Sequence, residues 1–120
     1  MKVNCKFWFE DDNGKKFFGK GNYLLLKEIN KTKSLNKASK NLKMSYSKAF
    51  NIIKNSEKIY GEKFVDTEIG GAHGGGSTLT EAGIKLIKEY EKAMSNFNKT
   101  SNNLTEDITK LSKMLVFFTE

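Results

Sequence analysis

The sequence contains no arginine: all 21 of its basic residues are lysine. Arginine is the side chain that forks onto guanine and clamps a phosphate at two points, whereas lysine acts as a mobile point charge. Recognition of a polyanion by this chain therefore rests on point charges and on other side chains. Cysteine and histidine occur once each, as Cys5 and His73, too few for an internal disulfide or a conventional zinc set. A reducing cytoplasm is the compartment expected. No window approaches the roughly 18 apolar residues of a membrane span, and Met1-Lys2-Val3-Asn4-Cys5 is followed by no apolar stretch of signal length. The expectation is a soluble protein with no membrane partner.

What is present fits one compact domain. The chain has 120 residues, of which 38% are hydrophobic, a low apolar share that implies either a small core or a surface completed by a second copy. The net charge of +7 is uneven. Residues 1–63 hold 15 lysines against 6 acids, net +9, and residues 64–120 hold 6 against 8, net −2. One end of the chain should seek polyanions and the other should not.

Val3, Cys5, Phe7 and Phe9 alternate with polar neighbours and Trp8, the period of a half-buried strand. Asp11-Asp12-Asn13-Gly14 supplies a tight turn, and residues 15–18 return as a second strand. Leu25, Leu26 and Ile29 then fall at helical spacing over residues 22–31, with Gly21 or Asn22 as the cap. Ser34 caps a short helix through about Leu42 that buries Leu35, Ala38 and Leu42. After Lys43-Met44, Ser45 caps a longer helix to Tyr60 whose inner side is Ala49, Ile52, Ile53 and Ser56. A short helix, a brief link and a longer helix opening on serine is the layout of a helix-turn-helix, with a plain three-helix bundle as the alternative.

Residues 63–69 read as a strand and Ser77-Thr78-Leu79 as its returning partner across a glycine-rich tip. Beside a helix-turn-helix, such a ribbon is the wing of a winged helix. A longer helix opens at Thr80-Glu81-Ala82-Gly83 and continues through Phe97; its wide apolar stripe is shared between the domain and a partner subunit. Residues 98–103 read as a linker or a frayed helix end. Leu104, Ile108, Leu111 and Leu115 keep helical spacing, but Val116-Phe117-Phe118 fits a strand equally well.

Gly71–Ser77 nearly spells a phosphate-binding loop but lacks the lysine that must follow its last glycine, and no acidic magnesium ligand matches it, so nucleotide hydrolysis is not expected. No serine is placed with a histidine and a carboxylate for nucleophilic catalysis. The chain is not expected to be an enzyme, and no cofactor is called for. His73 is either a solvated loop residue or a contact to a phosphate or minor groove. The informative signal is charge: residues 27–63 carry 10 lysines against 3 acids, on the segment whose pattern already marks a nucleic-acid-reading element.

The segments Phe18-Gly19-Lys20-Gly21, Met44-Ser45-Tyr46-Ser47-Lys48-Ala49-Phe50, and Gly70–Ser77 with Leu79-Thr80-Glu81-Ala82-Gly83 together resemble the N-terminal DNA-binding domain of ModE-type molybdate-responsive transcriptional regulators, over roughly residues 3–95. The resemblance implies a homodimer joined through the long helix after the wing, with the third helix of each subunit in successive major grooves of a palindromic operator. Carried across by position, Ser45, Tyr46, Ser47, Lys48, Asn51 and Lys54 form the exposed side of the recognition helix. Tyr46 has a core contact as its alternative, and Phe50 either packs or reads. Asn51 suits adenine, and Lys54 suits a guanine or a phosphate. Lys33 and Ser34 hold phosphates at the start of the second helix. Thr67, His73, Gly74 and Gly75 are the wing contacts, and Ile87, Tyr90, Met94 and Phe97 the dimer contacts. The family's molybdate-binding C-terminal domains have no counterpart after Phe97, so molybdate sensing does not come with the resemblance, and a signal would arrive through the short tail or a separate effector-sensing protein.

The expected architecture is α+β and mainly helical: a winged helix-turn-helix with an N-terminal hairpin over residues 1–79, a dimerisation helix over 80–103 and a tail over 104–120. The expected function is that of a dimeric, repressor-like regulator binding double-stranded DNA. The competing readings are a protein-interaction module or a non-specific DNA-binding protein built on the same fold.

Overall fold

The computed structural model describes residues 1–68 and 76–119, with side chains through Leu115. Along the chain run β1 (Phe9–Glu10), β2 (Lys16–Phe18), α1 (Lys20–Thr32), α2 (Leu35–Asn41), α3 (Tyr46–Tyr60), β3 (Val65–Thr67), β4 (Ser77–Leu79) and α4 (Glu81–Thr119). The order is that of the expected winged helix-turn-helix with an N-terminal hairpin. The chain divides into two compact units, Phe7–Glu89 and Met1–Lys6 with Tyr90–Glu120.

In the first unit, β1 and β2 pair antiparallel, with Phe9 opposite Phe18 and Glu10 opposite Lys16, an irregular register that leaves Phe17 as an extra residue. Asp11 organises the turn: its Oδ1 accepts from the Asn13 and Lys15 amides at 2.9 and 2.8 Å, and Gly14 adopts a φ of 79°. Helix α1 starts at Lys20, two residues before the expected start at Asn22. Gly19 is the cap, and its N–H donates to Asn22 Oδ1 at 2.9 Å, so Asn22 secures the start from inside the first turn.

Tyr23, Leu25, Leu26 and Ile29 of α1 are buried together with Phe18, Leu35, Ala38, Ala49, Ile53 and Phe64. Phe18 meets Phe64 edge-on at 6.3 Å and 88°, which joins the hairpin to the start of the wing. Ser34 and Ser45 cap α2 and α3 as expected, accepting from the Lys37 and Lys48 amides at 3.1 Å each. Helix α3 ends on Gly61 at a φ of 92°, the left-handed cap that favours glycine.

The wing strands pair in register, Val65 with Leu79, Asp66 with Thr78 and Thr67 with Ser77. Expected contacts His73, Gly74 and Gly75 lie outside the described residues. Thr80 begins α4: its hydroxyl donates to the Lys63 carbonyl at 2.6 Å and accepts from the Gly83 amide at 3.1 Å. A Cβ on Gly83 would stand 2.4 Å from the Phe64 carbonyl oxygen. The first turn of α4 therefore lies on the backbone entering β3 because position 83 is glycine.

Two expectations fail in the second unit. The strand read over residues 3–9 is confined to Phe9–Glu10; the segment before it lies along a helix. There the Val3 N–H donates to Thr105 Oγ1 at 2.8 Å, and Ser101 Oγ donates to Cys5 Sγ at 3.3 Å. Alternation marks an extended, one-sided segment, and a helix face satisfies it as well as a neighbouring strand does. The tail is also resolved: residues 98–103 are neither linker nor frayed end, and 104–119 are helical, all within α4. Its polar stretch is helical throughout, with the Thr100 and Thr105 hydroxyls turned back onto the carbonyls of Asn96 and Ser101, at 3.2 and 2.8 Å. Tyr90 is buried, and loss of hydration pushes its phenol above the usual value of 10.0. No helix among the described residues is long and apolar enough to cross a membrane.

Replacing Gly83 by alanine should lower stability by about 1–3 kcal/mol in urea titrations, through steric conflict with Phe64. The same change at Gly21, where an added Cβ meets nothing within 4 Å, should raise it by about 0.5–1 kcal/mol because alanine is the better helix former.

Candidate nucleic-acid interface

The site is built on α2, α3 and the wing, all within the first unit. Helix α3 turns Ala49, Ile53, Ser56 and Glu57 inward, and the Ser56 hydroxyl donates to the Phe17 carbonyl. Its other side is free for a ligand. Ser45, Tyr46, Ser47, Lys48, Asn51 and Lys54 are all exposed, so the structure leaves each of the expected recognition residues accessible. Tyr46 is 52% exposed and Phe50 41% exposed, which removes the core alternative for Tyr46 and the packing alternative for Phe50. The two rings stack on each other, 6.3 Å apart and inclined at 21°.

Lys54 is less available than its position on the helix implies. Its Nζ lies 5.5 Å from the Phe50 ring centre and 3.5 Å from Glu57 Oε1, so part of its charge is already matched. Lys48 and Lys58, also exposed, have no such carboxylate beside them in α3, whose one acid is Glu57.

Glu57 is the residue that sequence reasoning missed. It is 8% exposed, and its Oε2 accepts from the amides of Phe64 and Val65 at 2.6 and 3.2 Å. A carboxylate that receives two amides and faces a lysine is well compensated for burial. The signal was its spacing: Glu57 follows Ala49 and Ile53 by eight and four residues, on the inner face of α3. Read as one acid in a lysine-rich stretch, it entered only the charge count.

The wing is tied down at its other strand as well. Lys33 ends α1 in the left-handed region with a φ of 58°, and its carbonyl accepts from the Ser77 amide at 2.9 Å. Its side chain is exposed, with Nζ 3.2 Å from Asn30 Oδ1. Ser34, half-buried, is occupied at Oγ as the cap of α2. Thr67 is exposed at the end of β3. Of the residues expected to join two copies, Ile87 and Tyr90 are buried within one chain, Met94 is half-buried and Phe97 is exposed. Beyond them Leu104, Ile108 and Leu111 are exposed. From Met94 these positions follow at steps of three, seven, four and three residues, the spacing of a two-stranded coiled-coil seam.

This geometry, a short helix, an open helix and a ribbon tethered beside it, has counterparts. No protein-family model matches the chain. It is 37% identical over 67 residues to the transcriptional regulator ModE of Haemophilus influenzae, covering 56% of this chain and 26% of that protein. To ModE of Yersinia pestis it is 32% identical over 91 residues, 76% of this chain and 35% of the relative. The homologues of this chain are ModE-type regulators. The chain spans about a third or less of the length of these ModE relatives. Among solved structures, MepR, a transcription regulator of the Staphylococcus aureus multidrug efflux pump MepA, superposes with a TM-score of 0.56 at 17% identity, over 83% of this chain and 79% of that one. A MepR–DNA complex gives 0.52, also at 17% identity, over 84% and 78%. At such identities the likeness is one of fold, and that fold is the winged helix.

Glu57→Ala should cost about 1–3 kcal/mol, since two buried amides lose their acceptor, and Glu57→Gln distinctly less because an acceptor oxygen remains. Hydrogen exchange at the Phe64 and Val65 amides should quicken in the alanine variant and change little in the glutamine variant.

Proposed function

We propose that this chain is a sequence-specific, DNA-binding transcriptional regulator that acts as a homodimer on a palindromic operator, most simply by occupying it as a repressor. The observation that carries the reading is the open face of α3. Its exposed lysines and hydrogen-bonding side chains have no exposed carboxylate among them on that helix, and they belong to the most basic stretch of the chain. The ModE relatives are named as transcriptional regulators, and a protein of the same fold has been solved with DNA; both support the reading.

In this arrangement α3 enters the major groove with Ser45, Tyr46, Ser47, Lys48 and Asn51 toward the bases and backbone. Lys33 and the start of α2 meet phosphates, and the wing, with Thr67 at the end of β3, follows the backbone beside them. The second copy joins along α4 through Met94, Phe97, Leu104, Ile108 and Leu111.

Selection from a random duplex pool at roughly physiological salt should return an inverted repeat with half-site centres about one helical turn, or a multiple of it, apart. Recovery of no motif would sink the reading. On the recovered duplex, Lys48→Ala should reduce the log–log salt slope by about one unit, and Lys54→Ala by less, because Glu57 already offsets its charge. Ile108→Asp should shift the sedimenting species from dimer to monomer and weaken operator binding; a variant that stays dimeric rules out the α4 seam.

A further inference from the structure

The stacked pair Tyr46 and Phe50 calls for an apolar ligand group in an otherwise polar setting. Two large aromatic side chains, 52% and 41% exposed, stand at the opening of a helix whose neighbouring exposed residues are serine, lysine and asparagine. Their stacking, at 6.3 Å and 21°, fixes them as one slab before any ligand arrives. Four residues of helix advance about 6 Å, so the slab spans nearly two base-pair steps of about 3.4 Å. Lys54 lies over the far end of it, 5.5 Å from the Phe50 ring centre, and is steadied there by Glu57 at 3.5 Å.

In the major groove the base edges present nitrogen and oxygen donors and acceptors, with one distinctive apolar group: the C5 methyl of thymine. The chain has no arginine to fork onto guanine, whereas Asn51, exposed beside Phe50, has the donor and acceptor that match adenine. We propose that Tyr46 and Phe50 form a thymine-methyl-reading surface, so that the direct sequence preference of the chain comes from the C5 methyl groups of adjacent T·A pairs. The proposal rests on the DNA-binding reading above and adds to it the identity of the group that is read.

Thymine can be replaced by deoxyuridine throughout a duplex, which deletes the methyl groups and leaves base pairing and phosphates in place. Using the duplex returned by selection, in its native and its deoxyuridine form, fluorescence anisotropy at fixed salt gives the ratio of the two affinities. Each lost methyl contact should weaken binding about fourfold, so two contacted methyls give about 15-fold per half-site and about 200-fold for the inverted repeat bound by both subunits, with the salt slope unchanged. Phe50→Ala and Tyr46→Ala, both at exposed positions, should bring the ratio toward unity, whereas Lys48→Ala should weaken both complexes and keep it. Sequence-specific binding with a ratio near unity for the unaltered chain overturns the thymine proposal alone, as does a ratio that survives both aromatic substitutions. Failure to bind any duplex specifically overturns the proposal together with the reading beneath it, and leaves the aromatic pair as a contact for a protein partner.

Discussion

The Glu57 carboxylate, near the end of α3 and almost wholly buried, decides where the ribbon leaves the helix-turn-helix. By accepting the Phe64 and Val65 amides it supplies a partner for two donors at the entry to β3, Phe64 just before the strand and Val65 its first residue. The Lys33 carbonyl does the same for the returning strand at Ser77, and Thr80 with Gly83 sets α4 on the Lys63–Phe64 backbone. The ribbon is thus held at both strands by the helices it flanks. Its orientation beside α3 follows from satisfied hydrogen bonds rather than from the short ladder of three residue pairs, which is too small to be stable alone.

That tethering sets the ribbon beside a helix whose basic residues are all lysine. Lysine is mobile and heavily hydrated, and it imposes little geometry on what it meets. Order must come from elsewhere, and the structure places it in capped helix starts, in the Tyr46–Phe50 stack and in the pairing of Lys54 with Glu57. In the proposed function, point charges attract and hold the polyanion, while rigid neutral groups discriminate. One residue, Glu57, serves both parts of this arrangement: Oε2 fixes the ribbon, and Oε1 steadies a lysine on the exposed face.

Helix α4 shows a different use of the same chemistry. Its apolar positions change role along the length, from Leu86, Ile87 and Tyr90, which are buried, to Leu104, Ile108 and Leu111, which are exposed. In its polar middle the Thr100 and Thr105 hydroxyls bond to carbonyls of the preceding turn. Among the described residues the large apolar side chains left exposed include Trp8, Tyr46, Phe50 and Tyr60 as well as Phe97, Leu104, Ile108 and Leu111, and those of α4 keep the spacing of a coiled-coil seam.

The sequence by itself determined what local chemistry can determine. Serines at 34 and 45 start helices wherever they precede an apolar period, Asp11 and Gly14 close a turn, and the lysine excess falls on a segment whose spacing already spells helix-turn-helix. The inner positions of Ala49 and Ile53 follow from the same helical period, whereas the exposure of Tyr46, for which a core contact stood as the alternative, was decided by the fold. Tertiary structure alone decided the rest. Alternation at Val3 and Cys5 could not distinguish a strand from an extended segment lying on a helix, because both bury one side of an extended chain. The continuity of α4 through its polar middle was not legible in composition, which fits a linker or a frayed helix end equally well. Glu57 became the anchor of the wing only when folding brought two strand amides to it; a carboxylate's role is set by the donors that surround it, and those come from residues seven and eight positions further along the chain.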